Sequence, residues 1–339
     1  MTSSLHLDHW LAQRDLPEPF SGVIAFSRGA EQQTWATGEA IKALNLPNTP
    51  ATRFQMASGC KIFTAVAVCQ LMQRGALTPH TRLTDVLDTD FPLFDPAVQV
   101  HHLLTHTSGV PDYFDEAVMQ DYAEVWASQP MYAVRQARDF LPLFQNRPMT
   151  FSPGERFAYN NSGFILLGLI VEALTGQAFT EYVQRQVLTP AGMDDSGYFA
   201  ADQLPASTAY AYLRKADGAW GTNVFSVPVI GGPDGGAYTT ARDMQKFWTA
   251  LHQGQLLDAT ALLTPRVRTG WKPPHTHYGY GVWIHDAPPR RQCFVEGADP
   301  GVSFRSWWDP QQELTLTVLG NAGNAMWSFV DDLTRTLTP

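Results

Sequence analysis

The chain is short of positive charge. Its 339 residues include 23 Lys and Arg against 32 Asp and Glu, a formal net charge of -9. Nucleic-acid phosphates and anionic lipid surfaces attract basic patches, so this balance argues against both as partners and leaves small molecules or short peptides as the expected substrates. Long apolar runs are also missing: the longest, Phe164 to Val171, falls far below the roughly 20 residues needed to cross a bilayer. No membrane span is expected. Cysteine is scarce: Cys60, Cys69 and Cys293 are odd in number and lack metal-ligand spacing, which supports neither a disulfide framework nor a zinc site and points to buried thiols. No metal or other cofactor is called for. The opening, MTSSLHLDHWLAQRDLPEP, lacks the cationic start and continuous apolar stretch of a secretory signal and reads as a short amphipathic helix ended by Pro17. The expected location is cytoplasmic. No repeat of fixed period is present.

What is present is enough apolar residue, 44% of the chain, to bury a sizeable core. Gly22–Ser27 and Gln33–Thr37 read as strands joined at Arg28-Gly29, and Thr52–Met56 alternates like a third. Ile62–Met72 is apolar at nearly every position, the pattern of a helix buried on all sides, and Gly75 closes it. Residues 86–230 mix helical segments, Gly163–Leu174 and Thr180–Val187 among them, with polar loops. Beyond them a helix is expected over Asp243–Gln253, strands over Gly279–His285, Gln292–Val295, Gly301–Trp307 and Leu314–Gly320, and a last helix over Met326–Thr336. Strands at both ends of the chain must share a sheet if each is to bury a face. The expected architecture is one α/β (α+β) domain over 1–339: an antiparallel sheet flanked by terminal helices in a lobe built from 1–85 and 231–339, with a mostly helical lobe, 86–230, inserted.

Two short patterns carry chemistry. Ser58-Gly-Cys-Lys61 puts a hydroxyl at the start of the buried helix and an amine three residues on, on one helical face. The helix start supplies unpaired N–H groups suited to an oxyanion. A serine needs a base before it becomes a good nucleophile, and a lysine serves as one only if burial lowers its pKa from about 10.4 toward neutrality. The alternative structural role is a Ser58 cap with Lys61 reaching out to solvent. That role fits poorly, because Lys61 is one of only five lysines and sits in an apolar helix. The second pattern is Tyr159-Asn160-Asn161, between Ser152-Pro-Gly-Glu155 and a helix beginning near Ser162. A phenol beside an ammonium can act as base or relay, and a carboxamide can hold both the lysine and a substrate amide.

Together these patterns resemble the serine β-lactamase-like hydrolases, which include class C β-lactamases, D-Ala-D-Ala peptidases, D-aminopeptidases and esterases. The resemblance extends to Phe20-Ser-Gly-Val23, Pro47-Asn-Thr-Pro50, His102-Leu-Leu-Thr-His-Thr-Ser-Gly-Val110 and Gly235-Gly-Ala-Tyr-Thr-Thr-Ala-Arg-Asp243. It implies Ser58 as nucleophile, Lys61 as its partner, Tyr159 as base or relay, and Asn161 as the substrate-orienting amide. It also implies an oxyanion hole from the N–H groups of Ser58 and a residue near Ala298. His106 and Ser108 read as loop-building residues, and Tyr113 and Tyr278 as candidates for the wall of an acyl pocket.

The family's third motif, usually Lys-Thr-Gly or His-x-Gly, should precede Pro300-Gly301. Here the stretch is Val295-Glu-Gly-Ala298, so Gly297 fits while the usual cation is replaced by Val295 and the hydroxyl by Glu296. A carboxylate from Glu296 facing a substrate carboxylate at about 4 Å, with an effective dielectric near 20, would cost on the order of 4 kcal/mol, or roughly a thousandfold in binding. The other expectation is that Glu296 points to solvent, since strand residues alternate faces. Three functional readings follow. The leading one is an acyl-serine hydrolase acting on a small ester or amide. The second is a D-amino-acid peptidase or penicillin-binding protein, with Glu296 greeting a substrate amine. The third is a catalytically weak binding or assembly protein on the same scaffold.

Overall fold

The computed structural model describes residues 7–14, 16, 19–115, 118–119, 122–215, 217–270, 275–287 and 290–337. Eight strands form one antiparallel sheet in the order Glu31–Thr37, Gly22–Arg28, Leu314–Gly320, Val302–Asp309, Arg290–Asp299, Trp283–Ala287, Thr276–Tyr278, Val267–Arg268. The first strands therefore lie beside the last long one, with Gly22 opposite Gly320 and Arg28 opposite Leu314. This joins the two ends of the chain.

Alternation along Gly22–Arg28 sends Ile24 and Phe26 to one face and Val23 and Ala25 to the other. The Ile24 face packs against the terminal helices Leu7–Ala12 and Ala325–Leu337, through Trp10, Phe329, Val330 and Leu333. The Val23 face belongs to a larger core that runs without a break through the helix Lys61–Gln73 and on to Leu103, Phe164 and Phe247. Every residue of that helix from Lys61 to Leu71 is buried. It ends at Gly75, whose φ of 74° lets the N–H of Ala76 reach the Leu71 carbonyl and its own N–H the Met72 carbonyl.

Several expected boundaries moved for physical reasons. Thr52–Met56 supplies only Phe54–Gln55, paired with Tyr238–Thr239 outside the main sheet. Gly279–Gly281 is a turn rather than the start of a strand, because Gly281 lies against the Lys61 helix, where a Cβ would sit 3.0 Å from the Lys61 carbonyl oxygen. The strand expected over Gln292–Val295 runs the full ten residues Arg290–Asp299, as two long neighbours pair with it. The region 86–230 is built from short helices and 3-10 turns around one long helix, Asn161–Thr175, and carries a hairpin, Tyr212–Arg214 with Trp220–Thr222, that the pattern did not reveal. Pro17, the expected stop of the first helix, lies outside the described residues. Among the described residues no single helix is long and apolar enough to cross a membrane.

Candidate active site

Ser58 lies in a 3-10 turn, Ala57–Cys60, that leads directly into the Lys61 helix. Ala57 holds a left-handed backbone, φ 43°, a conformation costly for a residue with a Cβ and fixed here by flanking hydrogen bonds. Its carbonyl accepts from Gly236 N–H, and the N–H of Met56 donates to Ala237. The bend presents Ser58 half-buried at a cleft.

Lys61 is 1% exposed, so its amine must find acceptors inside the protein. It finds three: Nζ lies 2.9 Å from Ser58 Oγ, 2.8 Å from Asn161 Oδ1 and 2.6 Å from the backbone oxygen of Asp234. An ammonium uses one proton on each. An uncharged amine uses two, on Asn161 and Asp234, and leaves its lone pair aimed at the Ser58 hydroxyl, which is the arrangement of a general base.

Asn161 is the first residue of its helix, and its position is set by Asp112. The Asp112 carboxylate accepts from the N–H groups of Asn161 (2.9 Å) and Ser162 (3.1 Å), the Ser162 hydroxyl (3.2 Å) and Asn161 Nδ2 (3.4 Å). It satisfies helix donors that would otherwise be orphaned. Loss of water pushes this carboxyl up to about 7 against the pull of those donors and of Lys61. Asn160 caps the same helix, accepting from Gly163 N–H at 2.7 Å.

The Tyr159 ring centroid lies 4.9 Å from Lys61 Nζ. The ring is 4.3 Å from His106 and stacks parallel to Trp283 at 6.2 Å. His106 braces the whole loop: its carbonyl accepts from Ala158, and its Nδ1 accepts from the Asn160 N–H at 3.0 Å. That contact places the imidazole proton on Nε2, a buried atom without a hydrogen-bond partner among the described residues. Burial, then the Lys61 charge, hold the imidazole well below its usual range, so it stays neutral.

The strand Arg290–Asp299 closes the other side. A Cβ at Gly297 would come 2.7 Å from the backbone nitrogens of both Ser58 and Gly59 and 2.3 Å from the Met56 oxygen. Only glycine lets the strand backbone approach so closely. Ala298 follows at the cleft surface, and with Ser58, Tyr113 and Asn161 lines a space of about 630 Å³, part of it open to solvent. The remaining wall combines aromatic and aliphatic side chains, Phe114, Tyr122, Phe140, Phe199 and Val227 among them, with Gln55, Asp234, Asp299 and glycine backbone.

Two expected substrate contacts fall elsewhere. Glu296 sits directly across from Arg305 in the sheet, and its Oε2 accepts from Arg305 Nε at 2.9 Å and Nη2 at 2.7 Å. Arg305 also reaches Asp331 on the last helix. The Glu296 carboxylate is thus neither aimed at substrate nor free in solvent, and the charge repulsion expected from it does not arise. Tyr278 is 2% exposed and packs among His106, Phe157 and Trp283; it is core, not cleft wall. Tyr280, Trp307 and Trp308 are likewise buried, whereas Phe114 joins Tyr113 at the cleft.

Two groups escaped the sequence reading. Asp112 follows Pro111, and Asp234 lies within Gly232-Pro-Asp-Gly235; both look like ordinary turn residues. The signal available was their adjacency to the family-like segments.

The sheet with its terminal helices and the Ser58–Lys61–Asn161 cluster define a β-lactamase/transpeptidase-like fold, and the chain belongs to the Beta-lactamase family, whose model matches residues 21–337. It is similar to the penicillin-binding protein from Bacillus halodurans, at 47% identity and a TM-score of 0.89 over 93% of this chain and 96% of that one. It is 29% identical to penicillin-binding protein 4* of Bacillus subtilis over 89% of this chain and 68% of that protein. A third relative, esterase EstB of Burkholderia gladioli, is 32% identical over 49% of this chain and 44% of its own length.

Proposed function

We propose that the chain is an acyl-serine hydrolase acting on small esters or amides. The observation that carries this reading is the hydrogen-bonded pair of Ser58 Oγ and a fully buried Lys61 amine at 2.9 Å, opening onto a cleft. Ser58 attacks the carbonyl as its proton passes to Lys61 or Tyr159, whose ring lies 4.9 Å from the lysine amine. The Ser58 N–H, together with the N–H of Ala298 on the strand pressed against it, stabilises the oxyanion. Asn161 holds the lysine through Oδ1 and lines the cleft, its Nδ2 donating to Asp112 and the Phe114 carbonyl. The leaving group takes a proton, and water then resolves the acyl-enzyme with the same residues acting in reverse.

The chain's similarity to a protein named as an esterase supports the ester arm. The absence of a cation at Val295, which is buried in the core, argues against a substrate carboxylate being clamped as in penicillin-recognising relatives. Steady-state assays on short-chain p-nitrophenyl esters, matched anilides and a penicillin test the reading. The expected result is turnover of ester or anilide that falls at least a thousandfold in Lys61→Ala, with no stable penicillin adduct. A long-lived penicillin adduct would favour the peptidase reading, and no turnover of any substrate would favour the binding-protein reading.

A further inference from the structure

Two carboxylates that the chemistry above does not use line the cleft, the half-buried Asp299 and the buried Asp234, and Asp234 is the one built into the wall beside Lys61. The backbone oxygen of Asp234 holds Lys61, while its side chain turns to the cleft wall, where Tyr113 OH donates to Oδ2 at 2.5 Å. Tyr113 in turn shares a hydrogen bond of 2.8 Å with Tyr122. Burial, then the Asp234 charge, hold the Tyr113 phenol well above its usual range, so it remains a donor and keeps the carboxylate oriented.

Two further carboxylates near the site are committed to the fold, Asp112 to the helix start and Glu296 to Arg305, while Asp299 sits at the more exposed rim of the cleft. Among the described residues lining the cleft there is no Lys, Arg or His. Asp234 is 5% exposed; burial pushes its carboxyl up, against the pull of the Lys61 charge and the Tyr113 hydrogen bond, and an incoming cation would favour the charged form further. A second feature of the wall points the same way: Tyr113, Phe114, Tyr122, Phe140 and Phe199 surround the space, and aromatic faces attract cations. Asp234 also lies close to the reacting atom. Its backbone and Ser58 share the Lys61 amine, and a Cβ on the next residue, Gly235, would be 3.9 Å from the Ser58 nitrogen.

From this juxtaposition we infer that Asp234 is a specificity-determining residue that selects acyl groups carrying a protonated amine near the scissile carbonyl. The inference rests on Ser58 being the nucleophile. A buried carboxylate oriented by a phenol at an aromatic-rich cleft wall gains a charge-assisted hydrogen bond from an ammonium and nothing comparable from a methyl group. A substrate carboxylate in the same place meets like charge.

The test uses the isosteric pair of D-alanine and isobutyric acid p-nitrophenyl esters, which differ by an ammonium in place of a methyl group. Ser58 acylation rates are followed by intact mass and corrected for the different intrinsic reactivity of the two esters in water. The wild type is expected to favour the amino ester by at least tenfold, and Asp234→Asn to lose most of that preference whatever its absolute rate. A wild-type ratio near or below one overturns the inference without any variant, as does a ratio unchanged in folded Asp234→Asn. Acylation by neither ester, with Ser58 still labelled by a fluorophosphonate, also overturns it and leaves the nucleophile reading standing. Failure of the fluorophosphonate itself strikes that underlying reading instead.

Discussion

Gly297 and Ser58 touch through their backbones: a Cβ on the glycine would lie 2.7 Å from the serine nitrogen. The contact joins an interior strand of the sheet to the start of the buried helix, two elements more than two hundred residues apart in sequence. It also brings the N–H-bearing backbones of Ser58 and Ala298 to one cleft.

Gly297→Ala is therefore expected to separate strand and turn by several tenths of an ångström or more. Overpacking of this kind costs about 1–3 kcal/mol of stability. Because misplacement near 1 Å can cost about a hundredfold in rate, kcat/KM should fall by about that factor in protein that still folds. Thermal melts and ester kinetics on the same samples check both. Unchanged kinetics would mean that this strand does not contribute to the oxyanion site.

The neutral, buried His106 makes stability depend on pH. Its folded pKa lies well below 6.5, so below that value the unfolded chain binds a proton that the folded chain refuses. The stabilisation is present at neutral pH and is lost as pH falls through 6.5, at up to about 1.4 kcal/mol per pH unit for one group. His106→Gln should be less stable near pH 7, since its packing between Tyr159 and Phe164 is disturbed. Its stability should also fall less steeply than that of wild type below pH 6.5. Denaturant midpoints across that range read the difference; parallel curves for the two proteins would contradict the assignment.

Glu296 is expected to matter for the sheet and not for the chemistry. Glu296→Gln leaves Arg305 paired with Asp331 but weakens a mostly buried ion pair, for about 1–3 kcal/mol of stability. Turnover of a neutral ester should change less than about threefold, far below the roughly thousandfold expected had this carboxylate faced a charged substrate. A gain of penicillin binding in this variant would show that Glu296 does reach the cleft.

How far the sequence disclosed all this depends on the range of the interactions concerned. The Ser58–Lys61 pair was legible because three residues on a helix share a face whatever surrounds them, and Asn161 was legible through its neighbours in the Tyr159 loop. Glu296 was misplaced because its partner, Arg305, is set by the register of the next strand, which no local pattern states. Tyr278 looked like a pocket residue because burial cannot be read from residue type alone. The short strands Val267–Arg268 and Thr276–Tyr278 exist because longer neighbours continue the sheet to them, not because of propensity of their own. Asp112 and Asp234 were hidden for another reason: an aspartate beside proline or glycine is a sufficient turn signal, so its service to a helix start or a cleft wall adds nothing visible.

The central claim is that Ser58 is the nucleophile. Intact-mass spectrometry after brief exposure to a fluorophosphonate, followed by peptide mapping, tests it most directly. The account predicts one adduct per chain, located on Ser58, absent in Ser58→Ala and slowed by more than a hundredfold in folded Lys61→Ala. An adduct that persists in Ser58→Ala, or maps to another residue, would contradict it.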